Sequence, residues 1–149
     1  MSVRSSISKS IVDIFNTNLN GVSPYTVDIK DGAENRLKFW DEVLDFPYIS
    51  VVPGPETRDY LPGAFKWGFL TLTIRIYVND GDDPMLMLEG LLEDIEKLLD
   101  ANREIPYSSA NGTESTTQDL QITSIVTDEG LLAPIGVGEL NIEVQYQVL

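Results

Sequence analysis

Two residue types are missing altogether: the 149-residue chain contains no cysteine and no histidine. Their absence excludes disulfides, Cys/His zinc sites, thiol nucleophiles and every Ser-His-Asp or Cys-His arrangement. General acid–base chemistry would have to rest on carboxylates, lysine or tyrosine. Positive charge is also scarce, with 10 Lys and Arg against 24 Asp and Glu, for a net charge of −14. The last basic residue is Arg103, and Glu104, Glu114, Asp119, Asp128, Glu129, Glu139 and Glu143 follow it. Such a chain is a poor nucleic-acid binder, because affinity for a phosphate backbone comes largely from Lys and Arg. Long apolar runs are lacking as well. No stretch approaches the roughly 20 residues of a membrane-spanning helix, and the start, MSVRSSISKSIVDIF, has no continuous signal-peptide core. These features lead us to expect a soluble protein made in a cytoplasm, with no membrane partner.

What is present reads as one globular domain over residues 1–149. Hydrophobic content of 42% and charged content of 23% are ordinary globular values. The most regular stretch is FKWGFLTLTIRIYVNDGDDP, residues 65–84, in which Leu70, Leu72, Ile74, Ile76 and Val78 alternate with Thr71, Thr73, Arg75 and Tyr77. That period of two is a half-buried strand, with one apolar and one polar face. Composition leaves the polar face open to water, a substrate or another subunit.

Around this strand the pattern predicts a first helix over Ser5–Phe15, striped by Ile7, Ile11 and Ile14. Short strands are expected at Tyr25–Ile29 and at Tyr48–Val52, the latter stopped by Pro53, while Arg36–Val43 is ambiguous. Gly54–Lys66, with two prolines and two glycines, reads as a long loop. A helix capped by Asp83 and starting at Pro84 carries an apolar stripe of Leu88, Leu91, Leu92, Ile95, Leu98 and Leu99. Ser108–Thr117 reads as a mobile polar loop, and Asp119–Thr127 and Glu139–Val148 as two closing strands. The sum is an α+β fold: a mainly antiparallel sheet of four to five strands with two helices packed on one face.

Few residues suggest chemistry. Asp80-Gly-Asp-Asp83 gives way to Pro84 too early for an EF-hand loop and is better explained by helix capping. Gly136-Val-Gly138 precedes a strand and lacks the third glycine of a dinucleotide site. Glu139 and Glu143 share a strand face about 13 Å apart, beyond the roughly 5 to 9.5 Å of glycosidase carboxylate pairs. More informative is Leu131-Leu-Ala-Pro-Ile135, an apolar segment where a surface loop is expected. Leu131, Leu132 and Ile135 either cover the domain's own core or dock on a neighbour. Tyr60, Leu61, Phe65 and Trp67 invite the same two readings.

The order of features resembles the tail terminator, or tail completion, proteins of long-tailed bacteriophages. An N-terminal helix leads to DFPYISVVPGPETRDY, then to KWGFLTLTIRIYV and the acidic helix LEGLLEDIEKLLDAN; two strands ending GELNIEVQYQV complete it. The resemblance is one of pattern across nearly the whole chain. It implies a structural virion protein, not an enzyme, without cofactor or bound metal, assembling as a hexameric ring at the head-proximal end of the tail. Such a ring caps the tube, ends its polymerisation and docks the tail to a neck or connector protein. In contractile tails it also meets the sheath. Assembly would take place in the host cytoplasm, and DNA would pass through without specific binding. On this reading Thr71, Thr73, Arg75 and Tyr77 become candidates for ring or lumen contacts, with Arg75 facing a neighbour's acids, and Glu139 and Glu143 become candidate lumen acids. Two other readings remain: a different neck or tail-tube component, and a small ligand-binding or hydrolase domain built around a pocket of converging carboxylates.

Overall fold

The alternating stretch is the centre of a five-stranded sheet in the computed structural model, which describes residues 1–109 and 111–148. In chain order the elements are α1 (Val3–Asn18), β1 (Ala33–Glu34), β2 (Tyr48–Leu61), β3 (Phe65–Asn79), α2 (Pro84–Ala101), β4 (Pro106–Ser108), β5 (Glu114–Thr116), β6 (Asp119–Thr127) and β7 (Ile135–Gln147). The main sheet runs β1-β2-β3-β7-β6, and β4 and β5 form a separate hairpin. The main sheet is mixed, since β1 lies parallel to β2 while the other pairs are antiparallel. The α+β class and the two-helix layer match the sequence pattern; the parallel edge is a departure from a purely antiparallel sheet.

Parity decides which face is buried. In β3 the five residues Leu70, Leu72, Ile74, Ile76 and Val78 are fully buried, and Leu140, Ile142 and Val144 of β7 lie beside them. Both helices cover this face, with Ile7, Ile11 and Phe15 from α1 and the six predicted leucines and isoleucine of α2 in the same core. Each fully buried aliphatic side chain contributes about 1.5–3 kcal/mol. The Gly136-Val-Gly138 motif now has a packing role. A Cβ on Gly136 would stand 3.1 Å from the Pro84 carbonyl oxygen, and one on Gly138 would stand 3.1 Å from Leu88 Cδ1. The two glycines let α2 settle closely onto β7. Its start is fixed as the sequence indicates: the Asp83 carboxylate accepts from the Leu86 N–H at 3.0 Å, and Asp80 Oδ1 accepts from Asp82 N–H at 2.9 Å.

Three segments depart from the sequence expectation. Gly54–Lys66 is not a loop: β2 continues through a bulge between Pro53 and Glu56 and pairs with β3 as far as Leu61 opposite Phe65. The bulge absorbs the prolines, which cannot donate to a ladder. A tight turn at 62–64 follows, with Gly63 at φ 82° and Ala64 at φ 66°. Ser108–Thr117 holds the end of β4 and all of β5, which pair as a hairpin pinned to α1 where Ser108 N–H donates to Ser6 Oγ at 2.9 Å. Tyr25–Ile29 makes one bridge, Asn20 to Asp28, and no strand. Its backbone donors go elsewhere: the N–H groups of Thr26 and Val27 each donate to Asp94 Oδ2 at 2.9 Å.

Asp94 is the buried exception on the apolar face of α2, only 2% exposed. Its carboxylate ties residues 26–27 to the helix, so removing it deprives the part-buried Thr26 and Val27 amides of their charged acceptor. We expect Asp94→Ala to lower the stability of the fold by about 2–3 kcal/mol, and Asp94→Asn, which keeps one acceptor, by less. Urea unfolding midpoints at unchanged slope measure the difference.

Candidate assembly surfaces

The face of the sheet opposite the helices is polar along β3 and β7. Thr71, Thr73 and Arg75 stand on it in register with Glu143, Asn141 and Glu139 of β7, all partly exposed. Thr73 Oγ1 donates to Asn141 Oδ1 at 3.0 Å. Arg75 Nε lies 3.8 Å from Glu139 Oε2, so the acid that faces Arg75 belongs to its own chain. That pair is solvent-accessible and contributes little to stability. Glu139 and Glu143 do share the face, as their parity indicated, and Asn141 separates them.

Tyr77 does not belong to the open surface. It is 4% exposed and lies with Tyr48, Val43, Phe46 and Val137 in a second, small apolar cluster on this side. The Tyr48 and Tyr77 rings stack at 6.1 Å with an interplanar angle of 12°. The Tyr77 hydroxyl donates to the Lys38 carbonyl at 2.6 Å, and the Tyr48 hydroxyl sits 2.8 Å from the Arg36 carbonyl and 3.0 Å from the Glu34 carboxylate. Two tyrosines thus strap residues 34–46 across one end of the polar face. Burial, reinforced for Tyr48 by Glu34, raises both hydroxyls above the ordinary tyrosine value and keeps them protonated.

The strap presents apolar side chains that sequence periodicity missed. Leu37, Phe39, Trp40 and Leu44 are exposed, Leu44 to 90%. The ambiguous stretch Arg36–Val43 held a signal, in that adjacent Phe39 and Trp40 fit neither a helix stripe nor a strand alternation. A second apolar group sits on the arm formed by the outer ends of β2 and β3. Tyr60, Leu61 and Phe65 are exposed there, while Trp67 is half-buried opposite Asp59 and Gln147. The third is the β6–β7 corner. Leu131 is 87% exposed, whereas Leu132 and Ile135 are half-buried. Asp128 shapes this corner, its carboxylate accepting from Leu132 N–H at 3.0 Å and Val137 N–H at 3.2 Å. The apolar loop therefore divides the two roles offered by the sequence: Leu132 and Ile135 lean inward and Leu131 points out.

The arm is anchored at its base. Tyr146 of β7 donates to Glu56 Oε1 at 2.6 Å, and its ring crosses β3 at Gly68, where a Cβ would stand 2.7 Å from the ring. Burial, then the bond to Glu56, pushes the Tyr146 hydroxyl up to about 12. Among the described residues no His, Cys, Asp or Glu cluster suited to a metal is present, and no helix is long and apolar enough to cross a membrane.

Residues 1–149 match the family described as bacteriophage tail tube terminator protein. The chain belongs to that family. It is 35% identical, over 99% of its length and 95% of the relative's, to the tail tube terminator protein p142 of Escherichia phage T5. Among solved structures, a chain from the virion of a native gene transfer agent particle superposes with a TM-score of 0.56 at 10% identity, covering 99% of this chain and 96% of that one. At that identity the likeness establishes a shared fold. The tail tube terminator family makes the chain a structural protein of the virion tail.

Loss of one strap hydroxyl in Tyr77→Phe should destabilise the fold by about 1 kcal/mol. It should also speed amide exchange of residues 36–45 more than that of β3. Alkaline pH acts the same way: the raised tyrosine values contribute stability that is complete below pH 10 and lost as pH rises through about 12 for Tyr146. Tyr146→Phe should flatten that part of a stability–pH curve measured by denaturant midpoints.

Proposed function

We propose that this chain forms a hexameric ring that caps the head-proximal end of the tail tube, ends tube polymerisation and offers the docking surface for the neck or connector. The observation that carries the reading is the tail tube terminator match over the entire chain. The fold supplies what such a ring needs. Exposed apolar groups at the arm (Tyr60, Leu61, Phe65), the strap (Phe39, Trp40, Leu44) and the corner (Leu131) lie on separate parts of one subunit. Different patches meeting head-to-tail give heterologous contacts, which close into a ring when the rotation is right.

The polar sheet face is assigned to the lumen side. Its Glu139 and Glu143 would repel the phosphates of passing DNA over a Debye length of about 8 Å at physiological salt. Thr71, Thr73 and Arg75 complete that face, and function is exerted through surfaces, without catalysis or cofactor. The tube protein is the natural partner, as the family name specifies a tube. Assembly takes place in the host cytoplasm before the tail joins the head.

Size-exclusion chromatography with light scattering should give six times the chain mass for the wild type. Leu131→Asp should weaken self-association at least tenfold while changing monomer stability by no more than about 0.5 kcal/mol, as befits an exposed position. A wild type that stays monomeric at all concentrations, alone and with tubes, would overturn the ring.

A further inference from the structure

The ten cations of this acidic chain are not evenly used. Six of them, Lys9, Lys38, Arg58, Arg75, Lys97 and Arg103, form salt bridges with carboxylates of the same chain. Arg4 and Lys66 form none among the described residues, and both line one cavity of about 700 Å³ together with Arg58. Glu114 is the one carboxylate among its described lining residues, and Val3, Tyr107, Tyr146 and Val148 supply apolar surface. Arg4 is held in place by donating to the Gly54 carbonyl, yet its buried Nε–H has no acceptor among the described residues. With Arg58 and Lys66, Arg4 gives the cavity a cationic lining that favours an incoming carboxylate.

The cavity lies at the arm end of the sheet, beside Lys66 near the start of β3 and Tyr146 and Gln147 at the end of β7. The opposite end has the complementary character. There the β3–α2 loop and the β6–β7 corner are joined by Asp80 N–H donating to the Pro134 carbonyl at 3.0 Å. Asp82 and Glu129 are exposed on them, and Leu86 and Leu131 beside them are 71% and 87% exposed. One end thus offers cations around an apolar floor, and the other offers carboxylates beside apolar knobs. The length of β7 separates the ends by about 40 Å, too far to meet within one chain.

We propose that the Arg4/Arg58/Lys66 cavity receives the Glu129–Leu131 corner of a second copy of this chain. The contact rests on the ring reading and specifies its joint: the Glu129 carboxylate meets Lys66 and Arg4, and Leu131 enters the apolar floor. Two different ends are joined, so the contact is heterologous and propagates from copy to copy until the rotation closes it. Charge reversal tests it on the full-length chain by light scattering. Lys66→Glu alone and Glu129→Lys alone should each weaken self-association at least tenfold, and the double variant, with the charges exchanged, should restore most of it. Lys97→Glu on α2 changes net charge as much as Lys66→Glu and should leave assembly unchanged. Rings of wild-type strength in both single variants, or no recovery in the double variant, would overturn this joint while leaving the ring intact. A monomeric wild type would overturn both.

Discussion

The pairing of β3 with β7 sets where every other part of the molecule can go. Its register runs without a break from Trp67 opposite Gln147 to Asn79 opposite Ile135. Side chains alternate along both strands, so a slip of one residue would turn Leu72, Ile74, Leu140 and Ile142 outward and bring Thr73, Arg75, Glu139 and Asn141 under the helices. Burying that charge without partners would cost far more than the fold's net stability. Because the register is fixed, α2 finds Gly136 and Gly138 beneath it, the arm projects from one end, and the acidic corner lies at the other.

The same alternation explains how much the sequence disclosed. Both helices, β3, β6 and β7 were legible because each carries a clear period, and the Asp83 cap and the buried stripe of α2 stand where the pattern put them. The family resemblance was legible for the same reason, being a resemblance of element order. The arm was not, because Pro53, Pro55 and Gly63 signal a loop, and only the bulge between Pro53 and Glu56 reconciles them with strand pairing. Asp94 was hidden by its position: one acid in a helix that is acidic outside says nothing about facing inward. The strap was hidden too, since the tyrosines that hold it, Tyr48 and Tyr77, come from two different strands.

Assembly surfaces are harder to read than catalytic sites, and the candidate residues show why. Leu131, Leu132 and Ile135 look alike in sequence, yet only Leu131 is strongly exposed, because Asp128 bends the chain over its own carboxylate. Arg75 looked available to a neighbour and is engaged by Glu139. Arg4 and Lys66 belong to no sequence pattern; 62 positions apart, they line one cavity where α1 begins beside the base of the arm. A strongly acidic chain conceals its few cations in the average, and only the fold shows that three of them surround one cavity.

The chain belongs to the tail tube terminator family, and in the ring proposed above these surfaces would share one purpose, stopping a growing tube at a defined end. The most direct measurement is the length of tail tubes in phage particles assembled without this chain and with it restored. Without it, electron microscopy should show tubes of variable, extended length that carry no head, and restoring it should return a single length with heads attached. Tubes of normal, uniform length joined to heads in its absence would contradict the account.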